Sequence, residues 1–273
     1  MNSGSESRLD FRYRGGGRLD YDQRRFVFAR RAHRRPMIRS IVLMCLLPAA
    51  AVAESPTPTL PLGVKVLFAS NEDIDHWDGD RDHWSAEDGV IVGQWSGDDS
   101  RSGASSLVYR GQDDSPATFD HFELTAQLKI TGGGGVAIDY RRLPSDWDKE
   151  ASGYRAVIDF SNRYAGTVEA LGDRGRLAQR GRSVTFDQSG NRSSRRFGDA
   201  VELGRGVHPG QWNDYRIVAD RDRLEHYINE SLVCRVIDGA AGSSTDAGVV
   251  ALSLLPGADV TLRVKNIVIR PLP

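Results

Sequence analysis

Apolar and polar positions alternate with a period of two along most of the chain after residue 60. Phe122, Leu124, Ala126, Leu128 and Ile130 fall on one side, with Glu123, Thr125, Gln127 and Lys129 on the other. This spacing gives a strand one apolar face and one polar face. The stretch 211–238 repeats the pattern three times. Tyr215, Ile217 and Ala219 alternate with Arg216 and Val218; Leu224, His226 and Ile228 alternate with Glu225 and Tyr227; residues 232–237 follow. Asp220-Arg221-Asp222 and Asn229-Glu230 interrupt the runs where turns are needed, which predicts a three-stranded antiparallel meander. A lone hairpin is marginal in water, so the meander requires a second layer over its apolar face.

Other short apolar runs predict strands at 64–69, 90–92, 105–110, 122–130, 136–142, 153–161, 167–171, 247–255 and 260–269. Gly132 to Gly135 read as a turn, because no helix or Lys-Ser/Thr follows as a phosphate cradle requires. Residues 71–82 read as an acidic loop. Residues 173–199, rich in Arg, Ser and Gly, read as a long mobile loop. No helix-period segment of respectable length follows residue 53. The expectation is an all-β, two-sheet antiparallel sandwich over 64–273.

Charge divides the chain. It holds 36 basic and 37 acidic residues, but the first 53 carry 11 arginines and 4 acids, which leaves 25 basic against 33 acidic in the remainder. An acidic body offers no cations to replace phosphate counterions, so nucleic acid is not an expected partner. Residues 37–53 read as a signal peptide: Arg39 precedes a short apolar run, 41–50, and Ala51-Val52-Ala53 closes it as a cleavage site. That run is too short to span a bilayer comfortably; a single N-terminal anchor that is never cleaved is the weaker alternative, and no stable membrane anchor is expected. Residues 1–36 are expected to be a basic extension, disordered or upstream of a true start at Met37. Residues 54–63 form a Pro/Thr linker. The expected location is periplasmic or extracellular. Cys234 alone follows the leader, so no internal disulfide is available and it reads as a small buried hydrophobe.

Several stretches, in order, resemble the 3-keto-disaccharide hydrolase family. They are Val66-Leu67-Phe68 with Trp77 and Trp84; Glu87-Asp88-Gly89-Val90-Ile91; His121-Phe122-Glu123-Leu124; Gly153-Tyr154 with Ile158-Asp159; Gly210-Gln211-Trp212-Asn213-Asp214-Tyr215 with Tyr227-Ile228-Asn229; and Val264-Lys265-Asn266-Ile267. The resemblance implies a secreted bacterial, concanavalin-like jelly roll with a sugar groove on its concave face. It also implies cleavage of glycosides oxidised to a ketone at C3, where the C2 proton is acidic enough for a base to drive loss of the C1 group. Arg155 stands where the family carries an acid after Gly-Tyr. Gly133-Gly134-Gly135 replace an Asn-Ser-Gly entry, and the 252–257 segment lacks the family's Gln and His.

Alternation places Asp139 with Arg141, and Arg155 with Asp159, with Glu169 and Arg174 on the next segment. Convergence of these strands would make one polar surface. Asp159 and Glu169 are then candidate bases, while Asp139, Arg141, Arg155 and Arg174 are candidate sugar-orienting groups. Trp147, in a polar loop, is the candidate stacking platform; Trp84 and Trp212 open strands and suit a core. The same face can equally be a solvated sheet surface with cross-strand ion pairs. His121 and Glu123 suit surface roles, and His226 a satisfied core histidine. No metal-ligand spacing occurs, so no cofactor is expected. A carboxylate-rich Ca²⁺ site among 73–82 is a weaker option. The expected function is cleavage of C3-oxidised glycosides. Its alternatives are a non-catalytic glycan-binding jelly roll and a structural sandwich whose 173–199 loop docks an acidic partner.

Overall fold

The computed structural model describes residues 63–99, 103–111, 117–143, 152–159 and 163–273. The expected leader, its cleavage site, all of the linker but Gly63, and Trp147 lie outside them. The described strands are β1 (Lys65–Phe68), β2 (Trp77–Asp78), β3 (Trp84–Glu87), β4 (Val90–Trp95), β5 (Ser105–Tyr109), β6 (Phe122–Gly132), β7 (Gly135–Arg142), β8 (Tyr154–Asp159), β9 (Thr167–Ala170), β10 (Gly175–Ala178), β11 (Arg182–Phe186), β12 (Arg192–Arg196), β13 (Asn213–Asp220), β14 (Arg223–Ile228), β15 (Ser231–Asp238), β16 (Val249–Leu254) and β17 (Val260–Pro271).

They form a two-sheet jelly-roll sandwich. The larger sheet runs β12-β11-β15-β14-β13-β6-β17-β4-β3, with β1 also on β17; the smaller runs β10-β9-β8-β7-β16-β5-β2. Pairing is antiparallel except between β11 and β15, which run parallel. The apolar halves of β6, β13, β14 and β17 in one sheet, and of β7, β8, β9 and β16 in the other, meet in a continuous core. Burying one face of each sheet is the main driving force for this arrangement.

The predicted meander is β13-β14-β15. Its second turn places Asn229 and Glu230 at φ 47° and 68°, the paired positive φ of a tight hairpin turn. Two motifs behind the resemblance build the fold. Asn213 Oδ1 accepts from the His208 amide and from Asn229 Nδ2, and its own amide donates to the carbonyls of His208 and Gln211. Asn266 sits at φ 54°, within a register shift of β17 against β6; asparagine tolerates that left-handed conformation.

The expectation for 173–199 is corrected. The segment folds into β10 and the β11–β12 hairpin. Every residue of β12 is exposed, so it carries no apolar alternation from which a strand could be read. The expected acidic loop begins as a 3₁₀ turn, Asn71–His76, whose Asp73 Oδ2 accepts from the amides of Ala69 and Ser70. Asp78 pairs with Arg110. Among the described residues no group of three or more His, Cys, Asp or Glu side chains is placed to hold a metal ion. Among them, too, no helix is long and apolar enough to cross a membrane.

Candidate functional site

The outward face of the smaller sheet carries a row of charge. Register aligns Arg176 with Glu169, Glu169 with Arg155, and Arg155 with Asp139, across β10, β9, β8 and β7. The intervening residues Ile138, Tyr140, Ala156, Val168 and Ala170 point into the core. Strand alternation thus presents four charges of alternating sign on one face.

Burial rises along the row. Arg176 and Glu169 are 42% and 28% exposed at the side chain, whereas Arg155 and Asp139 are 18% and 0%. Asp139 accepts two bonds from Arg155, Nε to Oδ1 at 2.6 Å and Nη2 to Oδ2 at 2.9 Å. Ser253 Oγ donates to Asp139 Oδ2 at 2.8 Å and lies 2.9 Å from Ser106 Oγ. Arg142 donates to Ser106 Oγ and stands 3.5 Å from Asp139. Burial works against the charge of Arg155, but Asp139, with help from Glu169, raises its pKa above the ordinary arginine value. Beyond Asp139 the face turns apolar, with Val108, Val249 and Ala251 in a small separate cluster. Glu169 is the accessible carboxylate of the row; Arg176 Nε lies 3.4 Å away. The Arg176 guanidinium sits 4.7 Å from the centre of the Tyr164 ring, with Arg163 over the same ring at 5.2 Å, a cation–π arrangement.

Three expected members stand elsewhere. Arg141 does not share the face of Asp139. It has φ 48° in a bulge, where Val249 pairs with Arg142 and Ala251 with Asp139. The extra residue turns Arg141 away, and it donates to the carbonyls of Asp120, Arg221 and Thr245 at one end of the sandwich. The bulge is tightly enclosed, since a Cβ on Gly248 would meet the Arg141 carbonyl carbon at 2.4 Å and one on Gly153 its oxygen at 2.6 Å. Arg142 therefore takes the place expected of Arg141. Asp159 leaves the row as well, because its oxygens accept from the backbone amides of Arg163 and Tyr164 at the end of β8. Arg174 is held by Asp238 through bonds of 2.7 and 2.8 Å, and Asp238 also accepts from Tyr154 Oη at 2.6 Å. That cluster ties β8 to the end of β15.

Arg142, Arg176, Tyr164, Ser106 and Ser253 do not stand out in the sequence. Arg176 falls in a segment that reads as loop. Ser106 and Ser253 become legible only once β5 and β16 are known to be neighbours.

The other candidates are structural. His121 Nδ1 accepts from the Arg221 amide. Glu123 pairs with Arg216 and Arg270 on the larger sheet. His226 lies between the sheets, with Nδ1 3.2 Å from the Gly166 carbonyl and Nε2 2.9 Å from Tyr140 Oη. A carbonyl only accepts, so Nδ1 carries the proton and Tyr140 donates to Nε2. Burial pulls the His226 pKa down to about 4, with the Gly166 carbonyl acting weakly the other way. Trp77 and Trp84 are buried, and their indole nitrogens donate to the Leu67 carbonyl and to Ser105 Oγ. Trp212 is partly exposed beneath Lys265. Cys234 is buried, which pushes its thiol pKa up to about 12.

Among solved structures, a protein assigned as a glycosyl hydrolase from Parabacteroides distasonis ATCC 8503 superposes with a TM-score of 0.50 at 17% identity, over 77% of this chain and 95% of its own. The carbohydrate-binding module CBM66 of Bacillus subtilis gives a TM-score of 0.44 at 17% identity, over 70% and 93%. The first likeness shows the shared fold. No curated protein matches the sequence. A family model, that of the 3-keto-alpha-glucoside-1,2-lyase-like domain, matches residues 63–270, and the chain belongs to that family.

Proposed function

We propose that the outward face of the smaller sheet binds saccharide and that the protein cleaves glycosides carrying a ketone at C3. The observation that carries this reading is Glu169, an accessible carboxylate set between two guanidiniums. A ketone at C3 lets Glu169 remove the C2 proton, and the C–H electron pair becomes an enolate with its charge on the C3 oxygen. Arg155 and Arg176 flank the base and face that charge. When the C3 carbonyl reforms, the C1–oxygen bond breaks, the leaving alcohol takes the proton from Glu169, and a C1–C2 double bond remains. Water then adds across it, oxygen to C1 and hydrogen to C2, to give the free 3-keto sugar. One mobile proton suffices, so a second catalytic carboxylate is not needed.

In this scheme Asp139 is a positioning residue: its oxygens are committed to Arg155 and Ser253. Asp159, Arg141 and Arg174 hold the scaffold around the site. Proton exchange tests the assignment. Incubation of a 3-keto-glucoside in D₂O should place deuterium at C2 with the wild-type chain and not with Glu169→Gln. Exchange that continues in the variant rejects Glu169 as the base.

A second reading, glycan binding without catalysis, is favoured by Arg155, which stands at an acid position of the family and is locked onto Asp139. The signal-peptide pattern at 37–53 supports export, which a mature protein beginning at Glu54 would demonstrate.

A further inference from the structure

The β11–β12 hairpin brings three arginines onto one face. Arg182 pairs with Arg196, Val184 with Ser194 and Phe186 with Arg192, so these six residues share a face. Val184 is fully buried, which turns that face toward the sandwich. There Arg182 and Arg192 join Arg176 and Gln179 around a cavity of about 440 Å³ that no carboxylate lines. Among the described residues, the guanidiniums of Arg182 and Arg192 meet no acid. Arg196 differs, since it is paired with Asp199.

Arg182 and Arg192, which no acid among the described residues balances, stand beside a third arginine, Arg176, that Glu169 does balance, and they present a set of forked donors to the concavity. An anion with several oxygens satisfies such a set, and the forked donors of arginine match carboxylate and sulfate geometry. The cluster also stands on an otherwise acidic body, so it is a local reversal of charge. Arg176 belongs to the cavity and, through Glu169, to the charged row. A sugar ring lying over Glu169 therefore has its neighbouring residue within reach of the cavity, whose volume suits a ligand of that size.

We propose that this cavity binds the carboxylate or sulfate ester of the sugar next to the reacting ring, so that the preferred substrates are acidic disaccharides. The inference rests on the reading of the charged row as the saccharide site.

The test is calorimetric titration of the full chain with a glucuronyl-glucose disaccharide, a sulfated glucose disaccharide, the neutral glucose disaccharide and inorganic sulfate. The two acidic sugars should bind about tenfold or more tighter than the neutral one, with an advantage that shrinks at high salt. The double variant Arg182→Gln/Arg192→Gln should lose that advantage and keep the neutral affinity. Arg195→Gln should lose nothing: it removes the same charge from the opposite face of the hairpin, where Arg195 pairs with Ser183. Equal binding of acidic and neutral sugars overturns the inference while leaving the saccharide face intact. An advantage that survives the double variant also overturns it, as does inorganic sulfate binding as tightly as the acidic sugars. An acidic preference lost in the double variant, in a protein that cleaves no 3-keto substrate, upholds the cavity and rejects the catalytic reading. No binding of any ligand rejects both, and leaves the arginines as charges that protect an exposed sheet edge.

Discussion

Arg155 clasps Asp139 through two parallel bonds, Nε to Oδ1 and Nη2 to Oδ2, between adjacent strands of the smaller sheet. Asp139 has no solvent exposure, so its charge depends on its partners. Arg155→Ala should destabilise the protein by about 3–5 kcal/mol, the usual cost of stranding a buried charge. Chemical denaturation measures it, and the double variant Arg155→Ala/Asp139→Ala should recover part of the loss. Strictly additive losses would show that the two residues are not coupled.

His226 gives the protein a defined acid sensitivity. The unfolded chain binds a proton at this residue near the ordinary histidine pKa of about 6.5, the folded chain only near pH 4. Between those values the unfolded state holds more protons. Stability is therefore complete above about pH 6.5 and falls as pH drops toward 4, by roughly 3 kcal/mol in total. His226→Gln should flatten the melting-temperature profile across that window. An unchanged profile would place the acid sensitivity in other groups.

Asn266 is exposed and left-handed in the β17 bulge. Asn266→Gly should be almost neutral, while Asn266→Val should cost about 1–3 kcal/mol through backbone strain. Equal thermal shifts for the two variants would remove the backbone explanation.

These residues show which parts of the structure are legible in the sequence. β6 and the β13-β14-β15 meander are readable because one face of each is buried, which imposes period-two alternation. The pieces Trp212-Asn213 and Asn266-Ile267 lead to the fold through backbone geometry: Asn213 bonds the turns and Asn266 sits in a bulge. Asp139, Arg155 and Glu169 align as expected because their strands are regular. Arg141 departs from its expected place because one extra residue in a bulge reverses the facing of the residues after it, and side-chain spacing gives no sign of that. Asp159 and Arg174 depart from theirs because a strand end can spend a charge on backbone amides or on a distant partner. β12 is hidden in the sequence because an edge hairpin strand with every residue exposed has no apolar code.

Catalysis by Glu169 is tested most directly by measuring release of a chromogenic alcohol from a 3-keto-glucoside and from its unoxidised parent, with the wild-type chain and with Glu169→Gln. The expected result is release from the keto compound alone, reduced about a hundred- to ten-thousand-fold in the variant. Release from the parent glucoside at a similar rate, or full activity in Glu169→Gln, would contradict it.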